Sequence, residues 1–161
     1  MKKIFKVISR VLLFSSIIVL VACQAPKDKT SSWSSSTGEV RPGPKTGKAV
    51  LALLSKARQA SKAGSLSTAE SHLERALRIE PQNPTLWLYM AKLRLYANKS
   101  TESIELAKKA IALSARGGVA SQRDRNSLQA DSWRVIAHAY LKLDMLENAQ
   151  KAQETSNSLN Y

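Results

Sequence analysis

The sequence predicts an all-α fold: an α-solenoid of about three helical hairpins behind a signal peptide and a disordered tether. Three observations carry this. Small and large residues recur at a spacing of about 34, so that Leu53, Ala57, Ala76 and Ile79 are matched by Trp87, Ala91, Ala110 and Leu113. Helix punctuation falls between the copies, where Pro81 ends one helix and Asn83-Pro84 supplies an N-cap and a first position with φ already set. Six glycines and five prolines in 161 residues, against many Ala, Leu, Lys and Arg, favour helix over a turn-rich β fold.

The first segment, 1–22, has the form of a leader. Lys2, Lys3, Lys6 and Arg10 precede an apolar run from Val11 to Val21. At about 11 residues the run is short for a transmembrane span and right for a signal-peptide apolar region. Leu20-Val21-Ala22-Cys23 resembles a bacterial lipobox, in which the chain is cut before the cysteine and its sulfur carries a diacylglycerol. That resemblance implies a lipid on Cys23, the one covalent group expected, and no other cofactor. The competing reading is a plain N-terminal anchor with an incidental cysteine. Gln24 after Cys23 implies, by the same resemblance, sorting to the periplasmic face of a Gram-negative outer membrane. With a single cysteine no internal disulfide exists, and the fold must rest on packing.

The span 23–47 is rich in Ser, Thr, Pro, Gly and Lys, with Trp33 and Val40 almost its only apolar residues. It cannot bury enough surface to order itself, and reads as a tether reaching about 25 Å on average. Trp33 marks either a binding spot or nothing functional.

The repeat domain occupies 48–161, with 43% hydrophobic residues in the whole chain giving room for one domain and not two. Helices are expected near 48–63, 67–79, 84–97, 100–115, 124–143 and 145–157, to within a few residues. In the first hairpin Ala63-Gly64 breaks the helix, and Ser67-Thr68-Ala69-Glu70 reads as a capping box that restarts it. A third copy appears once about 12 extra residues are allowed. Trp87 then maps to Trp133, Ala91 to Ala137, Arg94 to Tyr140 and Ser103 to Ala149. The repeats fall near 50–83, 84–117 and 130–161, with an insertion near 116–126 that includes Gly117-Gly118 and is either a binding loop or a lengthened connection. The start of the fifth helix is open, since Ser121 to Asp124 could cap it or belong to the loop. No polar capping helix is evident after the sixth, so a partner or second copy is expected to cover that end.

Small Ala57, Ala69 and Ala76, bulky Leu53 and Leu73, and the closing Leu77-Arg78-Ile79-Glu80-Pro81 resemble a tetratricopeptide repeat (TPR). The second copy continues the likeness with Trp87, Ala91, Ala110 and Leu113, and departs from it at Ser103 and Ala107. The resemblance implies paired helices whose first members line a concave face, and a protein-binding rather than catalytic role.

Chemistry-bearing motifs are scarce. His72 and His138 stand far apart, no Cys-His or His-Glu cluster has ligand spacing, and Gly117-Gly118 lacks the Lys-Ser or Lys-Thr sequel of a phosphate loop. No Gly-x-Ser-x-Gly elbow is present. No catalytic or metal residue is expected, and the chain is not read as an enzyme. Trp87 and Trp133 fall on positions that the family uses for packing and are assigned to the core. The stem of Arg94 is expected to lie along apolar surface with its head in water.

Helical arithmetic places Leu54, Arg58, Ser61 and Lys62 of the first repeat beside Leu88, Lys92, Leu95 and Tyr96 of the second and Arg134, His138, Leu141 and Lys142 of the third. These would form a basic groove with an apolar strip, suited to an acidic or C-terminal peptide; alternatively the cations are simply the solvated side of amphipathic helices. The asparagines of the carboxylate clamp found in chaperone-binding TPR domains have no counterpart here. The formal charge is +13, and losing the four leader cations leaves a basic surplus of +9. That surplus suits anionic lipid, a glycan polymer or an acidic protein; nucleic acid is not the expected partner.

Lipobox, tether and one small TPR domain together resemble the outer-membrane lipoproteins that activate class A penicillin-binding proteins, the bifunctional peptidoglycan synthases. The resemblance implies such an envelope protein as partner. Two alternatives remain: a pilotin-like lipoprotein assisting pilus or secretin assembly, and a binder of an anionic envelope polymer through the basic surface.

Overall fold

Six helices follow one another in the computed structural model, which describes residues 46–117 and 119–160: α1 Lys48–Lys62, α2 Leu66–Ile79, α3 Pro84–Tyr96, α4 Ser100–Ala115, α5 Gln122–Lys142 and α6 Leu146–Ser158. They pair as three hairpins, α1 with α2, α3 with α4 and α5 with α6. The fold is the all-α array of hairpins that the periodicity predicts. The leader, Cys23, Trp33, the tether to Lys45 and Gly118 lie outside the described residues.

Each hairpin is closed by the same device. The first helix ends in a C-cap residue, Ala63, Ala97 or Leu143, and the residue after the cap takes a left-handed conformation: Gly64 (φ 76°), Asn98 (φ 60°) and Asp144 (φ 58°). The amide after it reaches back to the last turn, Ser65 N to Ala60 O, Lys99 N to Arg94 O and Met145 N to Tyr140 O, at 2.9, 2.8 and 3.0 Å. The left-handed residue's own amide donates to Ser61 O, Leu95 O and Tyr140's neighbour Leu141 O respectively. This is the Schellman pattern, and it satisfies carbonyls that a helix end would otherwise leave without donors. It replaces the capping box expected at Ser67: α2 begins at Leu66 with Ser65 as its N-cap, and no side chain caps it. Backbone bonds had already fixed the turn.

Within hairpins the contacts run through small side chains. Ala57 meets a row of Ala69 and Ala76, and Ala91 lies by Ser103, Ala107 and Ala110, all of them buried. The hydroxyl of buried Ser103 donates to the carbonyl of Ala91 at 2.8 Å, and Ser156 repeats this in the third hairpin by donating to Ala130 at 2.8 Å. Ser103 therefore departs from the family pattern without leaving a buried polar atom unpaired. Larger residues fill the space between hairpins. One cluster joins Val50, Leu54 and Leu73 to Leu86, Met90 and Leu93; a second joins Leu88 and Ile104 to Val135 and Ile136, with Trp87 and Trp133 packed against it but only partly buried.

The second part of the insertion is helix. The connection after α4 spans 116–121, and α5 takes up the extra length by running to 21 residues, against 15 for α1 and 13 for α3. Ser121 caps it: its Oγ accepts from the amide of Asp124 at 3.1 Å and donates to that residue's carboxylate at 2.7 Å. Leu128 on the added turns packs against the second cluster, which rewards helix over loop. The far end of the array also needs no cover. Helix α6 buries Ala149, Ala152 and Ser156, and turns Gln150, Gln153, Glu154 and Asn157 outward, so it is itself the polar cap.

An added methyl at Gly64 would meet nothing within 4 Å, so its cost is conformational alone. Gly64→Ala is expected to lower unfolding stability in urea by about 1 kcal/mol, and Asp144→Gly to raise it by up to about 1 kcal/mol. Ala110→Leu, which overfills the α3–α4 contact, should cost roughly 1–3 kcal/mol in the same measurement.

Candidate functional site

Helices α3 and α5, first members of the second and third hairpins, meet around the side chain of Lys92, with Arg58 of α1 within electrostatic reach. Its ammonium lies 3.5 Å from Asp131 Oδ2 on α5 and 5.7 Å from the centre of the Tyr89 ring on its own helix. Arg134, one turn along α5, donates to the other carboxylate oxygen of Asp131 at 2.7 Å. Arg58 on α1 is close enough to act electrostatically on both Tyr89 and Lys92. Two cations, Lys92 and Arg134, thus share one carboxylate, and Arg58 adds its charge to the same surface, so that the arrangement is a cationic floor with Asp131 at its centre.

The surroundings are dry enough to matter. Burial pushes the Lys92 ammonium below the ordinary lysine value of 10.5; Asp131 opposes the shift by its charge and hydrogen bond, and Arg134 and Arg58 reinforce it. Burial likewise pushes the Tyr89 phenol above 10.0, with Arg58 pulling it down and Asp131 adding to the rise.

Not all of the expected groove residues reach this surface. Leu54 is 1% exposed and Leu88 4%, and both belong to the core. The reason is that α3 sits between the other two hairpins and buries residues all round, Leu86, Leu88, Met90, Ala91 and Leu93, so no step along it avoids the core. Leu95 packs, partly buried, against the second cluster. Arg58, Ser61 and Arg134 are half-buried; Lys62, Tyr96, His138, Leu141 and Lys142 are exposed.

The apolar part of the surface is found at the hairpin turns instead. Tyr96, Leu141, Leu143, Met145 and Leu146 are exposed large apolar residues, and the two turns that carry them are joined by Lys142 Nζ donating to Asn98 Oδ1 at 2.7 Å. Leu143, Met145 and Leu146 escaped the helical arithmetic because they lie in and beyond a turn, where helix periodicity ends. These exposed apolar residues lie at the turn ends of the helices that carry Lys92 and Arg134.

Arg94 is more than a snorkelling stem. It forms a pair with Glu70 of α2, with one of the two bonds at 3.1 Å, and its Nε lies 3.1 Å from Glu102 of α4, tying the first and second hairpins together. Sequence spacing holds no sign of this pairing. Among the described residues no three His, Cys, Asp or Glu side chains gather as a metal site, and no helix is long and apolar enough to cross a membrane.

The unfolded chain keeps the Lys92 proton to higher pH than the folded one. Stability owed to Lys92 therefore rises with pH between its lowered value and 10.5, while Tyr89 acts in the opposite sense above 10.0. A carbon-13 titration of the lysine side chains should show one midpoint below 10.5, and Asp131→Asn should move that midpoint further down. An unmoved midpoint would contradict the geometry.

Comparison with known proteins places the array. Residues 50–93 match the model of the tetratricopeptide repeat. The globular C-terminal domain of P. aeruginosa LpoP is similar at a TM-score of 0.63 and 28% sequence identity, over 70% of this chain and 99% of that one. The N-terminal domain of stress-induced protein-1 (STI-1) from C. elegans has a TM-score of 0.60 at 21% identity, over 69% and 84% respectively, and shares the fold. Comparison with the curated proteins returns no match. Residues 50–93 thus match a tetratricopeptide repeat, within an all-α array of helical hairpins similar to the C-terminal domain of P. aeruginosa LpoP.

Proposed function

We propose that this protein is a lipid-anchored envelope module, held at the periplasmic face of the outer membrane through Cys23, that docks onto a class A penicillin-binding protein and regulates it without catalysing a reaction itself. The observation that carries the reading is the 28% identity to the LpoP domain across 99% of that domain, on a chain whose leader has the lipobox pattern. Tethering supports it physically. A domain on a flexible tether samples a small volume next to the membrane, so a modest contact affinity is enough to keep a membrane-bound partner engaged.

The contact surface in this reading is the α1–α3–α5 floor together with the apolar turn edge. A partner segment that supplies a carboxylate to Arg58, Lys92 and Arg134, and an apolar side chain to Tyr96, Leu141 and Met145, would satisfy both parts. A pilus or secretin assembly factor would use the same module on another partner. A polymer binder would use the cations and dispense with the apolar edge.

The test is in-cell photocrosslinking from the exposed position Leu141, followed by mass spectrometry. The expected capture is a class A penicillin-binding protein, lost when Arg58 and Arg134 are changed to Glu. Capture of a secretin or pilus subunit would transfer the function to assembly. Capture of glycan or lipid alone, unaffected by Leu143→Ser or Met145→Ser, would transfer it to the basic surface.

A further inference from the structure

On the side of the molecule built by the second helices, α2, α3 and α4 enclose an open pocket of about 530 Å3. Its floor is apolar, made by Leu77, Trp87, Met90 and Leu106. Its charged lining is Glu74, Glu102 and Glu105, with Arg94 as the single cation. In a chain whose formal charge is +13, three of the twelve acidic residues line this pocket with the nearby Glu70, and the cations beyond the lining, Lys99 at 3.5 Å from Glu102 and Lys108 at 3.0 Å from Glu105, are on exposed side chains.

The pairing pattern decides which charges a visitor would meet. Arg94 is engaged by Glu70 and Glu102 at once and its side chain is only 19% exposed, so it offers little positive charge to the pocket. Glu74 is exposed and has no ion pair among the described residues. Glu105 is 68% exposed and joined only to Lys108, three residues on, an exposed pair that exchanges readily with solvent and with competing cations. The Trp87 indole already receives an ammonium, with Lys109 Nζ 3.5 Å from the ring centre, while its Nε1 donates to Pro81 O at 2.7 Å. The ring is therefore held in place by its polar edge, and its face is shown to accept a cation.

We propose that this pocket is a second docking site, separate from the α1–α3–α5 floor, which takes a basic and apolar segment of a partner protein. One bulky apolar side chain of the segment fills the floor between Leu77, Met90 and Leu106. Flanking Lys or Arg residues meet Glu74 and Glu105, with Glu102 behind them. Charge complementarity selects this occupant: an acidic segment would face three carboxylates, and a neutral apolar one would leave the rim without partners. The two surfaces then have opposite preferences, an anion on the first-helix side and a cation on the second-helix side, so one domain could hold two different segments at once.

The test uses the full chain with a photoreactive residue at Thr101, which lines the pocket, or at His138 on the opposite surface. The probe is a short synthetic peptide of leucines and lysines at helical spacing, compared with its leucine and glutamate counterpart. Labelling by the lysine peptide is expected at Thr101 and not at His138, and should fall about tenfold in the Glu74→Lys, Glu105→Lys double variant. Both substitutions are on exposed positions, and an unchanged circular dichroism melt confirms folding. The Arg58→Glu, Arg134→Glu variant should label as the unaltered chain does, which separates failure here from failure of the other surface. Equal labelling by the glutamate peptide, no labelling at Thr101, or indifference to the charge reversals would overturn the proposal. Crosslinking of one copy of the chain to another from Thr101 would assign the pocket to self-association and overturn it likewise.

Discussion

The close approach of paired helices through alanine and serine is the constraint on which the rest depends. Where Ala57 faces α2, and Ala91 faces Ser103 and Ala107, there is no room for a longer side chain, and the bulky residues are displaced to the spaces between hairpins. The same proximity lets Ser103 and Ser156 hydroxyls reach a carbonyl on the facing helix, so a polar group can stand where alanine is usual. Displacing the large residues outward is also what makes α3 bury apolar residues on more than one side. It must serve two interfaces, one with each neighbouring hairpin.

Most of the framework could be read from the chain because it depends on local, periodic signals. Asn83-Pro84 announced the start of α3, and the structure shows Asn83 Oδ1 accepting from Thr85 N at 3.0 Å. The left-handed positions Gly64, Asn98 and Asp144 follow the same spacing as the alanines, and two of the three are residues tolerant of that conformation but easily overlooked beside glycine. What escaped was non-local. Leu54 and Leu88 were assigned to a surface because a helical wheel knows one face and not the neighbours on the others. The pairing of Arg94 with two helices, the sharing of Asp131 between Lys92 and Arg134, and the pocket over Leu77 and Leu106 each require residues from different helices to be brought together.

Net charge was a poor guide to any single surface. A chain with a large positive surplus places two of its cations on one carboxylate, and gathers four of its few carboxylates around one arginine and its pocket. Each cluster is partly self-compensated, which keeps the field of the whole domain from deciding what binds where.

The start of the domain is fastened in a way that bears on how it withstands force. Gly47 donates its amide to Glu80 Oε1 at 2.7 Å, and Asn83 Nδ2 bridges Thr46 Oγ1 at 3.0 Å and Glu80 Oε2 at 2.7 Å. The chain therefore enters α1 already bonded to the corner between α2 and α3. A pull on the residues ahead of Thr46 is delivered to the junction of two hairpins and not to the first turn of α1 alone. Several bonds must then yield together before the helix can peel away, so this end of the domain resists tension better than a lone helix terminus would.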